Sequence, residues 1–239
     1  MNAQLTPAGA APPSARLAAG QLLQVLVTFL VIGGILFAAA GRVDWPAAWI
    51  FLIVYILIAL VTACWMLRTK PGLARERAQP GQNVKSWDNL LVGFNLLLSL
   101  ALFAVIGLDA GRYGWSAVSP WVRVLGWVGL IPAFGLPLWA TRVNAYLSSR
   151  VRIQEDRGHT VVAEGPYRHL RHPMYAGMIC YNVSVPLVLG SWWGLAVGAA
   201  MIALVILRTA LEDRTLRREL QGYDAYSRQV RYRLLPGVW

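Results

Sequence analysis

The chain has 239 residues, of which 57% are hydrophobic and 14% are charged. A soluble domain of this size needs more polar surface than this composition provides, so a water-soluble fold is excluded. The formal net charge of +11 is compatible with nucleic-acid binding. The basic residues, however, lie in loops between apolar segments, where they more naturally meet anionic lipid headgroups. We therefore expect a membrane protein that binds membrane lipids and no nucleic acid.

The apolar segments divide the chain into three parts. Residues 1–16 are rich in Ala and Pro and predict a flexible N-terminal arm. Residues 17–143 contain four apolar segments, each about long enough for a helix to cross a bilayer. Residues 144–239 contain two shorter segments, joined by Gly190 and Ser191, that predict a helical hairpin. The predicted spans are about Leu23–Ala40, Pro46–Leu67, Asn89–Leu108, Trp121–Ala140, Met174–Leu189 and Trp192–Leu207.

This pattern predicts an all-α integral membrane protein with about six transmembrane helices, or five if the final hairpin is irregular. With alternating spans, 19 basic residues face one side of the membrane and 3 face the other. Positive loops stay in the cytoplasm, so we expect a multi-pass protein with both termini cytoplasmic. Residues 213–232 are polar and rich in Arg and Tyr. They predict a cytoplasmic C-terminal helical segment, namely an extension of the last helix and an amphipathic return at the membrane surface.

Two polar segments flank the final hairpin, so the fold must bring them together. All three histidines lie in the first segment, 142–172, whereas Glu212, Asp213 and Glu219 lie in the second, 208–239. This arrangement predicts one site built from two cytoplasmic stretches. Cys64 and Cys180 lie in apolar segments without Cys or His at ligand spacing, so we expect buried thiols and no metal.

The string RHPMYAG, residues 171–177, begins the hairpin. Pro173 suits the first turn of a helix, which places His172 at a helix N-terminus that attracts electron-rich groups. Gly177 lets a backbone or a flat ring approach closely. A simpler interpretation is also open, in which Arg171 and His172 are ordinary interfacial residues and Tyr175 is an aromatic anchor.

Arg208 and Glu212 are four residues apart at the end of the last predicted span. Such a pair is commonly an exposed ion pair of small energy. Ionisable residues that face the interior of a membrane bundle, in contrast, are functional candidates. Glu212 and Asp213 are adjacent, so one acid can pair locally while the other faces a site.

Taken in order, these motifs resemble the isoprenylcysteine carboxyl methyltransferase family, which is similar to membrane phospholipid methyltransferases. The matching strings are HTVVAEGPYRHLRHPMYAG, a hairpin with SWW at its turn, and RTALEDRTLRRELQGYDAYSRQV, within about 144–239. The resemblance implies a catalytic region over 144–239 that uses S-adenosylmethionine as cofactor. The implied acceptor is a lipophilic, membrane-associated or prenylated substrate, with a carboxylate favoured.

The resemblance also implies roles for individual residues. Six residues would bind the donor, from its adenosine end to its sugar and amino-acid portion: His159, Val161, Tyr167, His172, Tyr175 and Gly177. Glu212 would contact the donor through its ammonium or hydroxyl groups. Arg208 and Arg171 would orient an anionic acceptor, which makes them catalytic candidates together with Glu212. Asp213 stands where the family often has Glu, and its shorter reach favours Glu212 as the donor contact.

Two other classes remain open at this point. Nicotinamide-dependent sterol and steroid reductases share RHPxY and a similar C-terminal ending, although they commonly have Asn where this chain has Met174. The residues that fit that ending are Val230, Tyr232, Arg233, Leu234, Pro236 and Gly237. A membrane scaffold or transporter is the second alternative, but no charged residue lies deep in the first three apolar segments to suggest an ion path.

Overall fold

The computed structural model describes residues 15–79 and 83–239. Residues 1–14 of the predicted N-terminal arm lie outside the described residues, while Ala15 and Arg16 already belong to the first helix. In the described ranges the chain forms eight α-helices joined by loops and short turns. They are α1 Ala15–Ala40, α2 Pro46–Thr69, α3 Pro71–Ala78, α4 Ser86–Ile106, α5 Pro120–Val143, α6 Pro173–Leu189, α7 Trp192–Glu219 and α8 Tyr223–Gln229.

The predicted apolar segments all coincide with helices, which confirms the all-α integral membrane fold. Helices α1, α2, α4, α5 and α7 are long and apolar enough to cross a membrane, and α6 is a shorter apolar helix of 17 residues. The hairpin between α6 and α7 turns at Gly190, whose φ of +84° favours glycine. Ser191 then caps α7 by accepting a hydrogen bond from the Gly194 N–H. The described part of the chain therefore has five long spans and one short apolar helix.

Charged side chains from distant parts of the sequence meet at one end of the bundle. Ion pairs there join Lys85 to Glu219 at 2.8 Å, Arg152 to Glu76 at 2.8 Å and Arg208 to Asp88 at 2.7 Å. We call the end defined by these six residues the polar end. The loops with most of the basic residues thus lie together, as the charge pattern predicts, and the cytoplasmic orientation of this end stays a prediction.

At the opposite end, a buried carboxylate fixes the hairpin turn. Helix α4 continues as a π-helix over Gly107–Tyr113, and Asp109 within it is fully buried. Its Oδ2 accepts hydrogen bonds from the Ser191 hydroxyl at 2.5 Å and the Ser116 hydroxyl at 2.6 Å. Because Ser191 lies in the turn between α6 and α7, this network holds the hairpin against α4. Both arms of the hairpin are thereby positioned at the polar end.

The C-terminal segment packs on the polar end of the bundle. The Tyr223 and Tyr226 side chains are buried in an apolar cluster with Ala140 and Tyr167. Burial of these aromatic rings stabilises the packing, and the position of the segment relative to a membrane surface stays a prediction. The predicted helical extension itself is observed, because α7 continues to Glu219. Both cysteine thiols are free, and Cys64 is exposed on the bundle surface, contrary to the expected burial.

Candidate functional site

A cavity of about 800 Å³, counted with its open mouth, lies at the polar end. The loop after α5, the start of α6, the polar part of α7 and helix α8 form its walls. The two polar segments therefore surround one space, as the sequence predicts. Eight of the nine residues singled out for the donor and acceptor line this cavity: His159, Val161, Tyr167, Arg171, His172, Tyr175, Arg208 and Glu212.

Gly177 is the exception, because it lies where α6 packs against α5. A Cβ atom at this position would stand 2.5 Å from Pro137 Cδ and 3.1 Å from the Ala133 carbonyl oxygen. The ring whose close approach the sequence predicts is therefore the pyrrolidine ring of Pro137 in α5. Small residues commonly permit such contacts between membrane helices. Gly177 positions α6, and its expected contact with the donor is not part of this cavity.

The start of α6 has the predicted geometry. His172 is the N-cap residue and Pro173 the first residue of the helix, where its missing N–H costs nothing. The Tyr175 ring stacks against the His172 ring with 5.7 Å between the ring centroids. The Gly165–Arg168 segment upstream forms a 3-10 turn that buries Tyr167 beside the cavity. The aromatic side chains of Tyr167, His172 and Tyr175 in the cavity wall thus come from two backbone turns that are close in sequence.

Glu212 presents a carboxylate to the cavity. Its Oε2 accepts a hydrogen bond of 2.5 Å from the Tyr175 hydroxyl, across the hairpin from α6. The ion pairs formed by the described residues do not include Glu212. The cavity therefore contains a carboxylate that a neutral phenol positions. Such a group favours a cationic or hydroxyl-bearing ligand.

Asp213, the neighbouring acid, holds the scaffold together. It is 1% exposed and accepts hydrogen bonds of 3.0 Å from both the Tyr223 hydroxyl and Arg233 Nε. The Arg171 Nε lies 3.4 Å from its Oδ1, and His172 Nε2 lies 3.5 Å away. One acid thus pairs with the surrounding cations while the other faces the cavity. The choice of Glu212 as donor contact stays a prediction, and this division supports it.

Arg171 is a buried cation with unused hydrogen-bond donors. It is 4% exposed, and within the described structure its Nε and Nη1 have no hydrogen-bond partner. Burial lowers the pKa of its guanidinium, although Asp213 opposes this effect. Leaving a buried donor unpaired costs about 1–3 kcal/mol. A ligand with an anionic or carbonyl oxygen in the cavity would remove this cost.

Arg208 has a partner that the sequence interpretation missed. The side chain of Asp88 is fully buried at the start of α4. Its Oδ1 accepts a 2.7 Å hydrogen bond from Arg208 Nε, and its Oδ2 accepts one from the Val151 N–H at 3.0 Å. Arg208 also lies over the Tyr175 ring, 5.4 Å from the centroid. The signal for Asp88 was its position, a single acid at the edge of an apolar span.

The loop after α5 contributes residues that the motif interpretation did not single out. Asn144 donates a 3.0 Å hydrogen bond to the Tyr167 hydroxyl, and the Tyr146 ring packs on His159 at 4.7 Å. A buried bidentate pair between Arg152 and Glu76 anchors this loop to α3. Tyr223 and Tyr226 of α8 also line the cavity. These contacts join residues far apart in sequence, so spacing alone does not reveal them.

The environment of His159 predicts a pH effect on stability. Burial, together with Arg152 and Arg157, lowers the pKa of His159 to about 4, so the ring is neutral at pH 7. The unfolded chain takes up a proton near pH 6.5, and the folded chain does so only near 4. This contribution to stability therefore falls as the pH drops below 6.5 and levels off near 4. We expect the unfolding temperature of His159→Gln to decrease less than that of the wild type between pH 7.5 and 5.

The exposed His169 provides the control for this measurement. The His169→Gln variant should retain the wild-type pH dependence, because its imidazole is solvated in both states. An unchanged pH dependence in His159→Gln would show that the buried ring does not cause the effect.

The described residues form a bundle of apolar helices with a polar cavity at one end. Comparison with protein families makes the class specific. Residues 136–218 match the isoprenylcysteine carboxyl methyltransferase family. The matched range covers about a third of the chain and runs from α5 to the end of α7. This match indicates a membrane methyltransferase. A search of curated proteins found no match to the chain.

The reductase alternative is not favoured by this match. The RHPxY string that also supports it lies inside the matched range. The C-terminal ending lies beyond that range, and the structure gives it a scaffold role. The Tyr232 and Arg233 carbonyl oxygens accept hydrogen bonds of 3.0 Å from the Arg171 and His172 N–H groups. Leu234 is buried beside Tyr175. The C-terminal ending therefore holds the start of α6 in place. These backbone contacts do not depend on which cofactor the protein binds.

Proposed function

We propose that the protein transfers a methyl group from S-adenosylmethionine to the carboxylate of a lipophilic, membrane-associated acceptor such as a prenylated cysteine. One observation carries the proposal. The same cavity is lined by the Glu212 carboxylate, which lies outside the ion pairs of the described residues, and by the buried guanidinium of Arg171, whose Nε and Nη1 have no hydrogen-bond partner among those residues. A cationic donor suits the Glu212 carboxylate, and an anionic acceptor suits the Arg171 guanidinium. S-adenosylmethionine is cationic at its sulfonium and at its ammonium group.

The residues present fit this donor. The donor supplies a methyl group on a sulfonium, which an acceptor oxygen takes in an in-line displacement that leaves the electron pair on a neutral thioether sulfur. We assign His159, Val161 and Tyr167 to its adenosine end, where the aromatic rings suit a flat base. His172 and Tyr175 face its sugar and amino-acid portion. Glu212 contacts its ammonium or hydroxyl groups.

Catalysis by this chain is then mainly positioning and exclusion of water. A carboxylate acceptor is already ionised at neutral pH and needs no general base. Tyr175 holds the Glu212 carboxylate, while the buried Tyr223 and Tyr226 cover the cavity. We propose that Arg171 and Arg208 orient the anionic acceptor, with Asp213 and Asp88 fixing their guanidinium planes.

The location of the cavity suits both substrates. A polar donor dissolves in the cytoplasm, whereas a lipophilic acceptor resides in the bilayer. We propose that the polar end meets both phases, and the long apolar helices that lead into it support this proposal. We infer that this end faces the cytoplasm, in agreement with the distribution of basic residues.

The test is cofactor binding by the purified protein. Isothermal titration with S-adenosylhomocysteine should show one saturable site, whereas the reduced nicotinamide cofactor should show none. Binding of the nicotinamide cofactor alone would overturn the proposal in favour of the reductase class. Binding of neither would contradict the assignment of this cavity to the donor.

A further inference from the structure

Residues 230–239, which follow α8, form a tail that is fixed beside α7. The Arg233 Nε donates a 3.0 Å hydrogen bond to Asp213 Oδ2 on the polar part of α7. Leu234, the next residue, is 3% exposed and lies in one apolar cluster with Val205 of α7. Asp213 and Val205 lie about 12 Å apart along the helix axis. The tail therefore lies at the level where α7 changes from apolar to polar.

The exposed face of α7 shows the same change from apolar to polar. Leu207 is 47% exposed, and the exposed Arg214 and Arg218 follow on the same face of the helix. Arg214 lies about two helical turns, or about 10 Å, beyond Leu207. Because Leu207 belongs to a helix that is apolar enough to cross a membrane, this distance places Arg214 at the level of the lipid headgroups.

The tail exposes apolar side chains at this level. Leu235 is 48% exposed and Val238 is 77% exposed. The backbone that precedes them is held in place, because the Tyr232 and Arg233 carbonyl oxygens accept hydrogen bonds from the start of α6 and the Leu234 side chain is buried. Both side chains are thus presented outward. Apolar side chains in such a position gain stability by inserting among lipid chains at a membrane interface.

Three exposed arginines belong to the same region, Arg214 and Arg218 on α7 and Arg231 in the tail. Arg214 adjoins Asp213 and Arg231 lies close to Arg233 in sequence, so the contact between Asp213 and Arg233 brings the two segments together. The ion pairs formed by the described residues include none of the three arginines. Their charge is therefore available to an anionic group outside the chain.

We call the surface formed by Arg214, Arg218, Arg231, Leu235 and Val238 the interface patch. Its chemistry fits an anionic lipid surface, because guanidinium groups bind phosphate oxygens while neighbouring apolar side chains enter the acyl layer. Each basic residue near an anionic leaflet adds attraction that a neutral leaflet does not provide. An acidic protein would match the charge of the patch, but the level of the patch along α7 is that of the lipid headgroups.

We propose that the interface patch docks on anionic phospholipids of the membrane that contains the protein. Leu235 and Val238 insert among the acyl chains, and the three arginines bind the headgroups. The patch thereby selects anionic over zwitterionic phospholipid at this position. The inference goes beyond the proposed function, because the lipid contact depends on neither the methyl donor nor the acceptor.

The experiment is photo-crosslinking of the full-length protein in nanodiscs that contain equal amounts of phosphatidylcholine and phosphatidylglycerol. Photo-reactive benzoylphenylalanine replaces Val238 in one sample. In the reference sample it replaces Ile131, which is 71% exposed on the apolar helix α5 and reports the bulk lipid. Mass spectrometry identifies the attached lipid. We expect phosphatidylglycerol to be enriched about fivefold at position 238 over position 131, the effect of roughly one arginine near an anionic surface.

The combined variant Arg214→Gln, Arg218→Gln and Arg231→Gln should reduce this enrichment to the reference ratio. The matched control removes three exposed arginines of α1, α2 and α3 and should keep the enrichment: Arg16→Gln, Arg68→Gln and Arg75→Gln. Thermal unfolding of each variant verifies folding. Absence of lipid adducts at position 238, or the reference ratio there without the arginine substitutions, overturns the inference. Enrichment that persists in the combined variant, or that the control loses equally, also overturns it.

Discussion

Replacing Glu212 by glutamine is expected to weaken S-adenosylhomocysteine binding at least about tenfold and to abolish detectable methyl transfer. Glutamine still accepts the hydrogen bond from the Tyr175 hydroxyl, so the local geometry is retained while the negative charge is lost. Hydrogen bonds to a charged group contribute about 1.5–3 kcal/mol, or roughly 10- to 150-fold in affinity. Isothermal titration of the purified variant measures the effect directly.

Glu219→Gln is the matched control, since Glu219 lies further along the same helix and pairs with Lys85 at the surface. Removing this exposed pair should leave cofactor binding unchanged, because such pairs contribute little. Wild-type affinity in Glu212→Gln would refute the assignment of this carboxylate to the donor. A parallel loss in Glu219→Gln would show a general charge effect instead of a local contact.

Replacing Asp213 by asparagine is expected to destabilise the protein by about 3–5 kcal/mol, the usual cost of removing one partner from a buried ion pair. Asparagine has nearly the same shape, so the change removes charge and little volume. Three arginines, Arg171, Arg217 and Arg233, would lose their shared carboxylate. The clamp between the end of the chain and the start of α6 depends on this centre. The measurement is the free energy of unfolding in mixed micelles.

The comparison variant is Asp224→Asn on α8. Asp224 pairs with Arg228, and both side chains are mostly exposed. We expect no measurable change in stability, because water solvates both groups when the pair is broken. Similar stability of the two variants would mean that Asp213 is not a structural centre. A loss of cofactor binding in Asp213→Asn without loss of stability would place it in the binding site instead.

The membrane fold could be predicted from sequence because it depends on local composition. A stretch without charge that is long enough to cross a bilayer has few alternatives to a helix. The hairpin turn was predicted for the same reason, since Gly190 and Ser191 interrupt two apolar runs and each has a defined capping role. The helix start at Pro173 follows from the chemistry of one residue. None of these features requires knowledge of distant contacts.

The partners of the charged residues could not be predicted in this way. Spacing placed Glu212 beside Arg208, but the structure pairs Arg208 with Asp88, 120 residues away in sequence. A buried guanidinium pairs with the carboxylate that three-dimensional packing brings to it, and sequence spacing reveals only neighbours on the same helix. Gly177 shows the same limit, because its role follows from the position of Pro137 on a separate helix.

The sequence by itself determined the class of fold, the hairpin and the two polar segments that surround the cavity, because hydrophobicity and helix-start chemistry act over a few residues. Only the tertiary structure decided which of the two adjacent acids faces the cavity. Successive residues on a helix point about 100° apart, so the packing of α7 turns Glu212 toward Tyr175 and Asp213 toward the C-terminal clamp. A second cavity, lined mainly by α1, α2 and α5, was likewise hidden in the sequence, because these helices meet only in the folded bundle.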